Sequence, residues 1–322
     1  MDAFVSSGSL PSAEVVADLV NDAYERLRHD EGGANSDVYP ALTAVRSDLF
    51  GLCVVGVNGR SYAAGDADVE FSIMSVAKPF VFALVCDVVG PDEIRDEVGV
   101  NATGLPFNSV EAIDLHGDGR TNPMVNAGAI ATTSLVPGTT VAARWHAIVD
   151  GLSRFAGRTL QLDAEIYASA SATNHRNRDI VVALKRHRRI VGDPVEALDL
   201  YTRQSSLRVT ARDLAVMGAT LADGGVNPLT GEQVVDAASA RCALVVMSTA
   251  GLYETSGDWL YDIGLPGKSG IGGGVITVSP GKGGLGTFAP PLDAAGNSVK
   301  GQLAARHLSR RLGLDLFRSA PA

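Results

Sequence analysis

The chain has strand-like segments near both of its ends, and this placement constrains the fold more than any other feature. LFGLCVVGVNGRSYAAG at 49–65 contains two apolar runs joined by Asn58-Gly59, a dipeptide that tolerates the positive φ values of a type I′ turn. Near the other end, GLPGKSGIGGGVITVSP (264–280) and LGTFAPPL (285–292) predict strands separated by glycine-rich turns. We therefore predict one sheet assembled from both ends of the chain.

The sequence between these strands has helical spacing. Residues 71–90 place Phe82 and Val85 on one side of a helix, which a Gly-Pro pair then ends. Helices are also predicted after Ser12, which is a suitable N-cap, and from about Ser298 to the end of the chain. The middle of the chain up to about residue 240 is mostly helical in pattern.

The domain organisation follows from this order of segments. We predict an α/β sheet domain formed by residues 1–70 and 240–322, with residues 71–239 inserted into it as a helical domain. No internal repeat and no long linker separates the parts, so they form one continuous unit.

The net charge of the chain argues against two classes of binding partner. With 27 Lys and Arg against 36 Asp and Glu, the net charge is -9 and the pI is about 5.1. Binding to nucleic acid or to an anionic membrane requires a basic surface, so neither partner is expected and a small-molecule substrate fits better.

Cysteine and histidine spacing predicts no metal, cofactor or disulfide framework. Cys53, Cys86 and Cys242 lie far apart without a CxxC, and there is no HExxH or comparable cluster. The first residues lack a basic leader region, and Asp87 interrupts the longest apolar run well short of a membrane span. These features predict a cytoplasmic protein.

One glycine pattern is misleading. Gly281, Gly283 and Gly286 spell GxGxxG, which is typical of dinucleotide sites. A proline precedes the pattern and TFAPP follows it, so it cannot open the helix that such a site requires. We interpret it as a turn between strands.

The first chemical motif is the SxxK formed by Ser75 and Lys78. On a helix, the i, i+3 spacing places the hydroxyl and the amine on one face, which suits a nucleophile and its base. A lysine deprotonates a serine only if its amine is held neutral, and the apolar residues on either side would supply the necessary burial. Because Pro79 favours a helix start, Ser75 is expected at the first turn, where free N–H groups favour an anion.

The second motif is Lys268-Ser269-Gly270, and it makes the first far more specific. SxxK on a helix followed by K-[ST]-G on a strand is the paired signature of penicillin-recognising serine hydrolases. Lys268 would provide positive charge beside a substrate carboxylate, and the following glycines let a backbone N–H approach the oxyanion. The alternative is a glycine-rich hairpin with a surface lysine.

The segments between these motifs resemble the glutaminase family. The resemblance runs from about residue 33 to about 305 without a large gap, and it includes SDVYPAL (36–42), FSIMSVAKPF (71–80), GLPFNS (104–109), RTNPMVNAGAI (120–130), HRNRDI (175–180), LYTRQSSL (200–207), GLYETSG (251–257) and GLPGKSGIGGG (264–274). It implies a serine β-lactamase-like α/β fold with an inserted helical domain, hydrolysis of L-glutamine, and a homodimer or homotetramer.

The resemblance also implies roles for individual residues, position by position. It implies Ser75 as nucleophile, Lys78 as general base, Tyr253 as a substrate contact that shuttles a proton, and the N–H groups of Ser75 and Ile271 as the oxyanion hole. The positions that it implies for holding the amino-acid part of glutamine are Tyr39, Asn126, Ser169, Asn177 and Tyr201. Without the resemblance, the asparagines would be interpreted as turn or cap residues and the tyrosines as half-buried core.

One position departs from the family pattern. The pattern VYxSExxTxxRNR appears here as IYASASATNHRNR, so Ala170 stands where a glutamate pairs with the α-ammonium of glutamine. Loss of such a charge-assisted hydrogen bond costs about 1.5 to 3 kcal/mol. Three explanations are open: weak glutamine binding, a different amide substrate, or a compensating carboxylate such as Glu165. A catalytically weak glutamine-binding homologue is a further alternative. Ile271 for valine and Ser205 for cysteine are smaller changes.

Overall fold

The computed structural model describes residues 8–115 and 117–319. Residues 1–7, which carry part of the prediction that no leader is present, lie outside this range. The helices are α1 (Ala13–Leu27), α2 (Pro40–Thr43), α3 (Lys78–Val89), α4 (Pro91–Val98), α5 (Glu111–Asp114), α6 (Asn126–Ser134), α7 (Val141–Ala156), α8 (Ala164–Thr173), α9 (His175–Arg186), α10 (Pro194–Ser205), α11 (Ala211–Ala222), α12 (Ala237–Ala250), α13 (Ser256–Ile263) and α14 (Val299–Leu312). The strands are β1 (Gly51–Gly56), β2 (Ser61–Gly65), β3 (Phe71–Ser72), β4 (Arg208–Val209), β5 (Gly267–Ser269), β6 (Gly274–Ser279) and β7 (Gly283–Phe288).

The main sheet joins strands from both ends of the chain, as the sequence predicts. Its order is β2-β1-β7-β6-β5, and every neighbouring pair is antiparallel. The central pairing, β1 with β7, aligns Gly51 with Phe288 and Gly56 with Gly283, so the amino-terminal hairpin is held by the carboxy-terminal strands. The α/β prediction is confirmed.

The hairpin between β1 and β2 is confirmed, but its predicted type I′ turn is wrong. A type I′ turn needs positive φ at both central residues, and here Gly59 has a φ of 77° whereas Asn58 is not among the positive-φ residues. The Gly59 N–H donates to Gly56 O, and the Gly56 N–H donates to Arg60 O. This is a three-residue loop ending in a left-handed glycine, with the Asn58 carboxamide accepting from the Arg60 N–H.

Of the GxGxxG glycines, Gly286 serves helix–sheet packing, and so does its neighbour Gly284. Only Gly281 lies in the predicted turn, because Gly283 and Gly286 belong to β7, so the turn interpretation is wrong for these two. A Cβ on Gly286 would stand 2.1 Å from Ala211 O, and one on Gly284 would stand 2.4 Å from Ala215 O. Glycine at these positions lets α11 lie directly against the sheet.

Each face of the sheet buries its own core, because successive side chains on a strand point to opposite faces. On β6, Ile276 belongs to the large cluster that includes α3, α11 and α12, whereas Val275 belongs to the cluster with α1, α13 and α14. Helix α11 therefore packs on the sheet although it lies within 71–239 of the chain. The division into 1–70 with 240–322 and 71–239 stays a prediction.

The segment around residue 75 lies where the sheet meets the helices. Strand β3 pairs with β4, and the Phe71 ring stacks on Phe288 of β7 with ring centroids 4.0 Å apart. A 3₁₀ turn, Met74–Ala77, follows and leads into α3, which ends at Gly90 with a φ of 102°. In the described part of the chain, no single helix is long and apolar enough to span a bilayer; only the pair Met74–Val89 and Pro91–Val98, bent by 120°, meets the length and composition criteria together.

Candidate active site

Ser75 lies in a strained turn that β5 approaches closely. Among the described residues, the non-glycine residues with positive φ are Met74, Arg188 and Tyr253, and two of these three adjoin or contact Ser75. Such backbone conformations are uncommon and concentrate at functional sites. A Cβ on Gly270 would stand 3.3 Å from the Ser75 N atom and 3.1 Å from Ile73 O, so only glycine brings the end of β5 this close without displacement.

Lys78 is a buried amine with two acceptors. Its Nζ lies 2.7 Å from Asn126 Oδ1 and 3.3 Å from Met124 O, and the side chain is 2% exposed. Burial lowers the pKa of Lys78 from 10.5 to about 7. A neutral amine has two N–H bonds and one lone pair. With both N–H bonds directed at these oxygens, the lone pair remains available to accept a proton.

Tyr253 links the nucleophile to β5. Its hydroxyl donates to Ser269 O at 3.1 Å, and a side-chain hydrogen bond connects it to Ser75. Burial raises the pKa of Tyr253 well above its usual value, and the hydrogen bond with Ser75 acts in the opposite direction. The Tyr253 ring also packs against Phe107, with ring centroids 4.4 Å apart.

Lys268 is fully buried against the Tyr253 ring. Its Nζ donates to Ser269 O at 2.6 Å and lies 4.5 Å from the Tyr253 ring centroid. Burial lowers the pKa of Lys268 well below its usual value, and the neighbouring Lys78 lowers it further. The surface-lysine alternative is wrong, since Lys268 is 0% exposed. The prediction placed the charge of Lys268 beside the substrate carboxylate. In the structure, Lys268 does not line the pocket described below.

Two backbone N–H groups next to Ser75 have no acceptor. Within residues 8–115 and 117–319, neither the Ser75 N–H nor the Ile271 N–H donates a hydrogen bond to a protein atom. Both residues line the same pocket and are nearly buried, 8% and 9% exposed. Unpaired buried N–H groups are rare, and a pair of them beside a nucleophile suits a developing oxyanion.

A pocket opens beside Ser75 and gathers most of the predicted substrate contacts. Its lining residues are Val38, Tyr39, Met74, Ser75, Phe107, Asn108, Asn126, Ala170, Thr173, Asn174, Arg176, Asn177, Tyr201, Thr202, Ser205, Ser206 and Ile271. Ser169 is not among them, and its hydroxyl accepts from the Ala41 N–H at 3.3 Å. The structure thus brings Tyr39, Asn126, Asn177 and Tyr201 to one cavity, and it leaves Ser169 outside the wall. Burial raises the pKa of both tyrosines.

A chain of buried amides runs along the pocket wall. Asn126 Nδ2 donates to Asn177 Oδ1 at 2.8 Å, and Asn177 Nδ2 donates to Asn174 Oδ1 at 2.5 Å. Asn174 Nδ2 then donates to Thr202 Oγ1 at 3.1 Å. At the other end, Tyr201 donates to Asn126 Oδ1 at 3.1 Å, beside Lys78. Asn126 therefore connects the base to the pocket.

The pocket lining also includes residues that were not predicted as site residues, among them Asn174, Thr202, Phe107 and Arg176. Phe107 and Arg176 lie within the GLPFNS and HRNRDI segments, so the motifs themselves could have indicated them. Thr202 likewise lies within the LYTRQSSL segment, whereas Asn174 falls at a variable position of the family pattern and carries no such signal. Asn174 meets Thr202 where α8 and α9 join and pack against α10.

The described residues of the pocket wall include no carboxylate. Ala170 lines the pocket and is 3% exposed, and among the described lining residues none is Asp or Glu. Glu165, the suggested replacement, is exposed on the first turn of α8 and does not line the pocket. In the described residues, no group of three or more His, Cys, Asp or Glu side chains is arranged to hold a metal ion.

The chain is similar to proteins of one family along nearly all of its length. A family model described as Glutaminase matches residues 33–317. Glutaminase 2 of Yersinia pestis is 65% identical over 318 residues, which cover 99% of this chain and 94% of that protein. A glutaminase of Brucella abortus (strain S19) is 51% identical over 286 residues, 89% of this chain and 90% of that protein.

Solved structures agree with these relatives. The probable glutaminase ybaS matches with a TM-score of 0.94 at 42% identity, over 96% of this chain and 100% of that one. Mglu in its glutamate form matches with a TM-score of 0.90 at 36% identity, over 95% of this chain and 70% of that one. The predicted serine β-lactamase-like α/β fold is thereby confirmed.

Proposed function

The chain belongs to the glutaminase family, which hydrolyses L-glutamine to L-glutamate and ammonia, and we propose that it does so through a covalent acyl-enzyme on Ser75. The observation that carries this proposal is the environment of Lys78. Its amine is fully buried, and its pKa of about 7 leaves much of it neutral at neutral pH. A neutral amine three residues after a serine is the base that an SxxK nucleophile requires.

Acylation begins with a proton transfer. Lys78 Nζ accepts the proton of Ser75 Oγ, and Oγ attacks the side-chain amide carbon of glutamine. The carbonyl oxygen becomes an oxyanion held by the otherwise unpaired N–H groups of Ser75 and Ile271. The C–N bond then breaks, and the leaving nitrogen takes up the proton and departs as ammonia.

Tyr253 is suited to carry that proton to the leaving group. Its hydroxyl is hydrogen-bonded to the Ser75 side chain and to Ser269 O. Because burial raises its pKa, it stays protonated and passes one proton on as it receives another. Lys268, which lies against the same ring, holds the tyrosine and the β5 backbone in place.

Deacylation repeats these steps with water. Lys78 removes a proton from water, the hydroxide attacks the ester carbon, and the same two N–H groups hold the second oxyanion. The C–Oγ bond breaks, Ser75 regains its proton, and L-glutamate leaves. One base therefore serves both half-reactions.

The amide chain and the tyrosines hold the amino-acid part of the substrate. Asn126 and Asn177 each have an N–H to spare for the α-carboxylate, since each donates only one hydrogen bond within the protein. Tyr39 and Tyr201 close the apolar sides of the pocket.

Ammonia release from L-glutamine tests the proposal, with Ser75→Ala as the control. The wild-type chain should release ammonia and L-glutamate in equal amounts, and Ser75→Ala should release neither above background. Activity retained by Ser75→Ala would contradict the assignment of the nucleophile.

A second candidate function is hydrolysis of another amide by the same residues. The specific observation in its favour is the absence of any carboxylate among the described pocket residues, which leaves the α-ammonium of glutamine without a charged partner. A panel comparing L-glutamine with N-acylated glutamine distinguishes the two. Faster turnover of the N-acylated substrate would favour this second function.

We also propose that the chain forms a homodimer or a homotetramer, because the family resemblance implies one. Light scattering coupled to size-exclusion chromatography tests this. A mass near that of one 33.4 kDa chain would contradict it.

A further inference from the structure

The neutral amides of the pocket wall have hydrogen-bonding capacity that the mechanism does not use. This inference rests on the proposed function, since it concerns how the same pocket recognises the α-ammonium of L-glutamine. The wall has no carboxylate among its described residues, and Ala170 contributes only a methyl group. An ammonium entering this pocket must therefore be met by uncharged oxygens.

The orientation of the amides is fixed at one end by Thr202. Its hydroxyl donates to Leu198 O at 2.8 Å, so toward Asn174 it can only accept. Asn174 must then direct its NH₂ group at Thr202 and its oxygen at Asn177. One hydroxyl thus determines which way the carboxamides face.

The free acceptor positions follow from a count of lone pairs. Asn126 Oδ1 accepts from both Lys78 and Tyr201, so both of its lone pairs are used. Asn177 Oδ1 and Asn174 Oδ1 each accept a single N–H and keep one lone pair. Both side chains line the pocket and are nearly buried, 4% and 6% exposed.

Of these two oxygens, that of Asn174 is the closer in sequence and helix position to the missing carboxylate. Asn174 caps α8 and follows Ala170 by four residues, the spacing that puts side chains on one helix face. We propose that Asn174 is a specificity-determining residue whose amide oxygen receives the α-ammonium of L-glutamine, in place of a carboxylate at position 170.

The test compares two ligands that differ only in the ammonium. L-Glutamate and glutarate are titrated by calorimetry into the full-length Ser75→Ala protein at neutral pH, and the ratio of their dissociation constants isolates recognition of the ammonium. The same ratio is measured after adding Asn174→Asp, Asn174→Ala or Ala172→Asp. Ala172 is exposed on α8 and does not line the pocket, so Ala172→Asp adds the same charge outside the site.

Asn174→Asp keeps the shape of the side chain and replaces the neutral acceptor by a charged one. Its second oxygen takes the place of the NH₂ group, so the Thr202 hydroxyl must turn from Leu198 O to donate to it. The preference for L-glutamate over glutarate should rise by about tenfold, because charge-assisted hydrogen bonds are stronger than neutral ones. Asn174→Ala removes the acceptor, so the preference should fall by about fivefold. Ala172→Asp should leave it unchanged.

An unchanged ratio in both Asn174 variants would overturn the proposal. If both ligands weaken in proportion while the ratio stays unchanged, Asn174 only supports the fold of the wall. The ratio also stays separate from the proposed function: a wild-type chain that releases no ammonia from L-glutamine would refute the glutaminase activity whatever the Asn174 variants do.

Discussion

The Lys78 amine donates to the Asn126 carboxamide oxygen over 2.7 Å while it is fully buried. This contact joins the catalytic residues to the substrate pocket. Lys78 is the first residue of α3, three positions after Ser75, and Asn126 is the first residue of α6 and lines the pocket. The base and the substrate-binding amides are therefore connected by one hydrogen bond.

The pH dependence of turnover should report the Lys78 amine. Because burial lowers its pKa to about 7, the neutral form that accepts the Ser75 proton disappears as the pH falls below that value. We expect kcat/KM for L-glutamine to rise with pH through about 7 and then level off. A profile that is flat between pH 6 and 8, in protein that circular dichroism shows to be folded throughout, would contradict the assignment of the base.

Ser75 and Lys78 should behave as one catalytic unit. Ser75→Ala and Lys78→Ala should each reduce kcat by at least about a thousandfold, and the double variant should be no worse than either single one. Steady-state kinetics with thermal unfolding as a check on folding measures this. Substantial activity in Lys78→Ala would show that another group acts as base.

The burial of the Lys78 amine should reduce the stability of the protein. The pKa of Lys78 is lowered on folding, so the unfolded state binds one more proton between about pH 7 and 10.5 and the wild type gains stability as the pH rises through that range. Lys78→Met, which we expect to be inactive, should increase the free energy of unfolding at pH 7 by about 3 kcal/mol, because the acceptors that it leaves unpaired offset part of the gain.

Denaturant titrations of the wild type and Lys78→Met at several pH values check this stability difference. The gain should shrink as the pH approaches 10, because the wild-type amine is then neutral at less cost relative to the unfolded chain. A Lys78→Met variant that is less stable than the wild type at pH 7 would mean that the amine stabilises the fold.

Ala170→Glu should improve the use of L-glutamine. The new carboxylate would face the α-ammonium, and kcat/KM should increase by about tenfold to a hundredfold. The gain should appear mainly in KM, because the ammonium is remote from the reacting carbonyl and is bound similarly in the ground and transition states. An unchanged or reduced kcat/KM would show that free glutamine is recognised elsewhere or is not the substrate.

The sequence indicates the candidate site residues that belong to recognisable motifs. It also predicts the helices and strands whose apolar residues recur at regular spacing. Ser75 and Lys78 were predicted as a pair from their i, i+3 spacing together with the later K-[ST]-G motif, and the sheet was predicted from strands at both ends of the chain. The turn after β1 could not be predicted from the sequence, because Asn58-Gly59 is compatible with two hairpin geometries. The hydrogen bonds of Gly56 with Gly59 and Arg60 show which of the two forms.

The rest depends on packing that no local pattern encodes. Asn174 meets Thr202 across 28 positions of sequence, where the junction of α8 and α9 packs against α10. Lys268 was expected to place its charge beside a substrate carboxylate, and the K-[ST]-G pattern says nothing about how deeply the lysine is buried. In the structure it is fully buried, with its amine 4.5 Å from the centroid of the Tyr253 ring.

The most direct test of the account is to find which residue becomes acylated. An electrophilic analogue of L-glutamine, incubated with the wild-type chain and analysed by mass spectrometry of its peptides, should leave one adduct on Ser75 and none in the Ser75→Ala protein. An adduct on any other residue, or an adduct that persists in Ser75→Ala, would contradict the seryl acyl-enzyme on which the account rests.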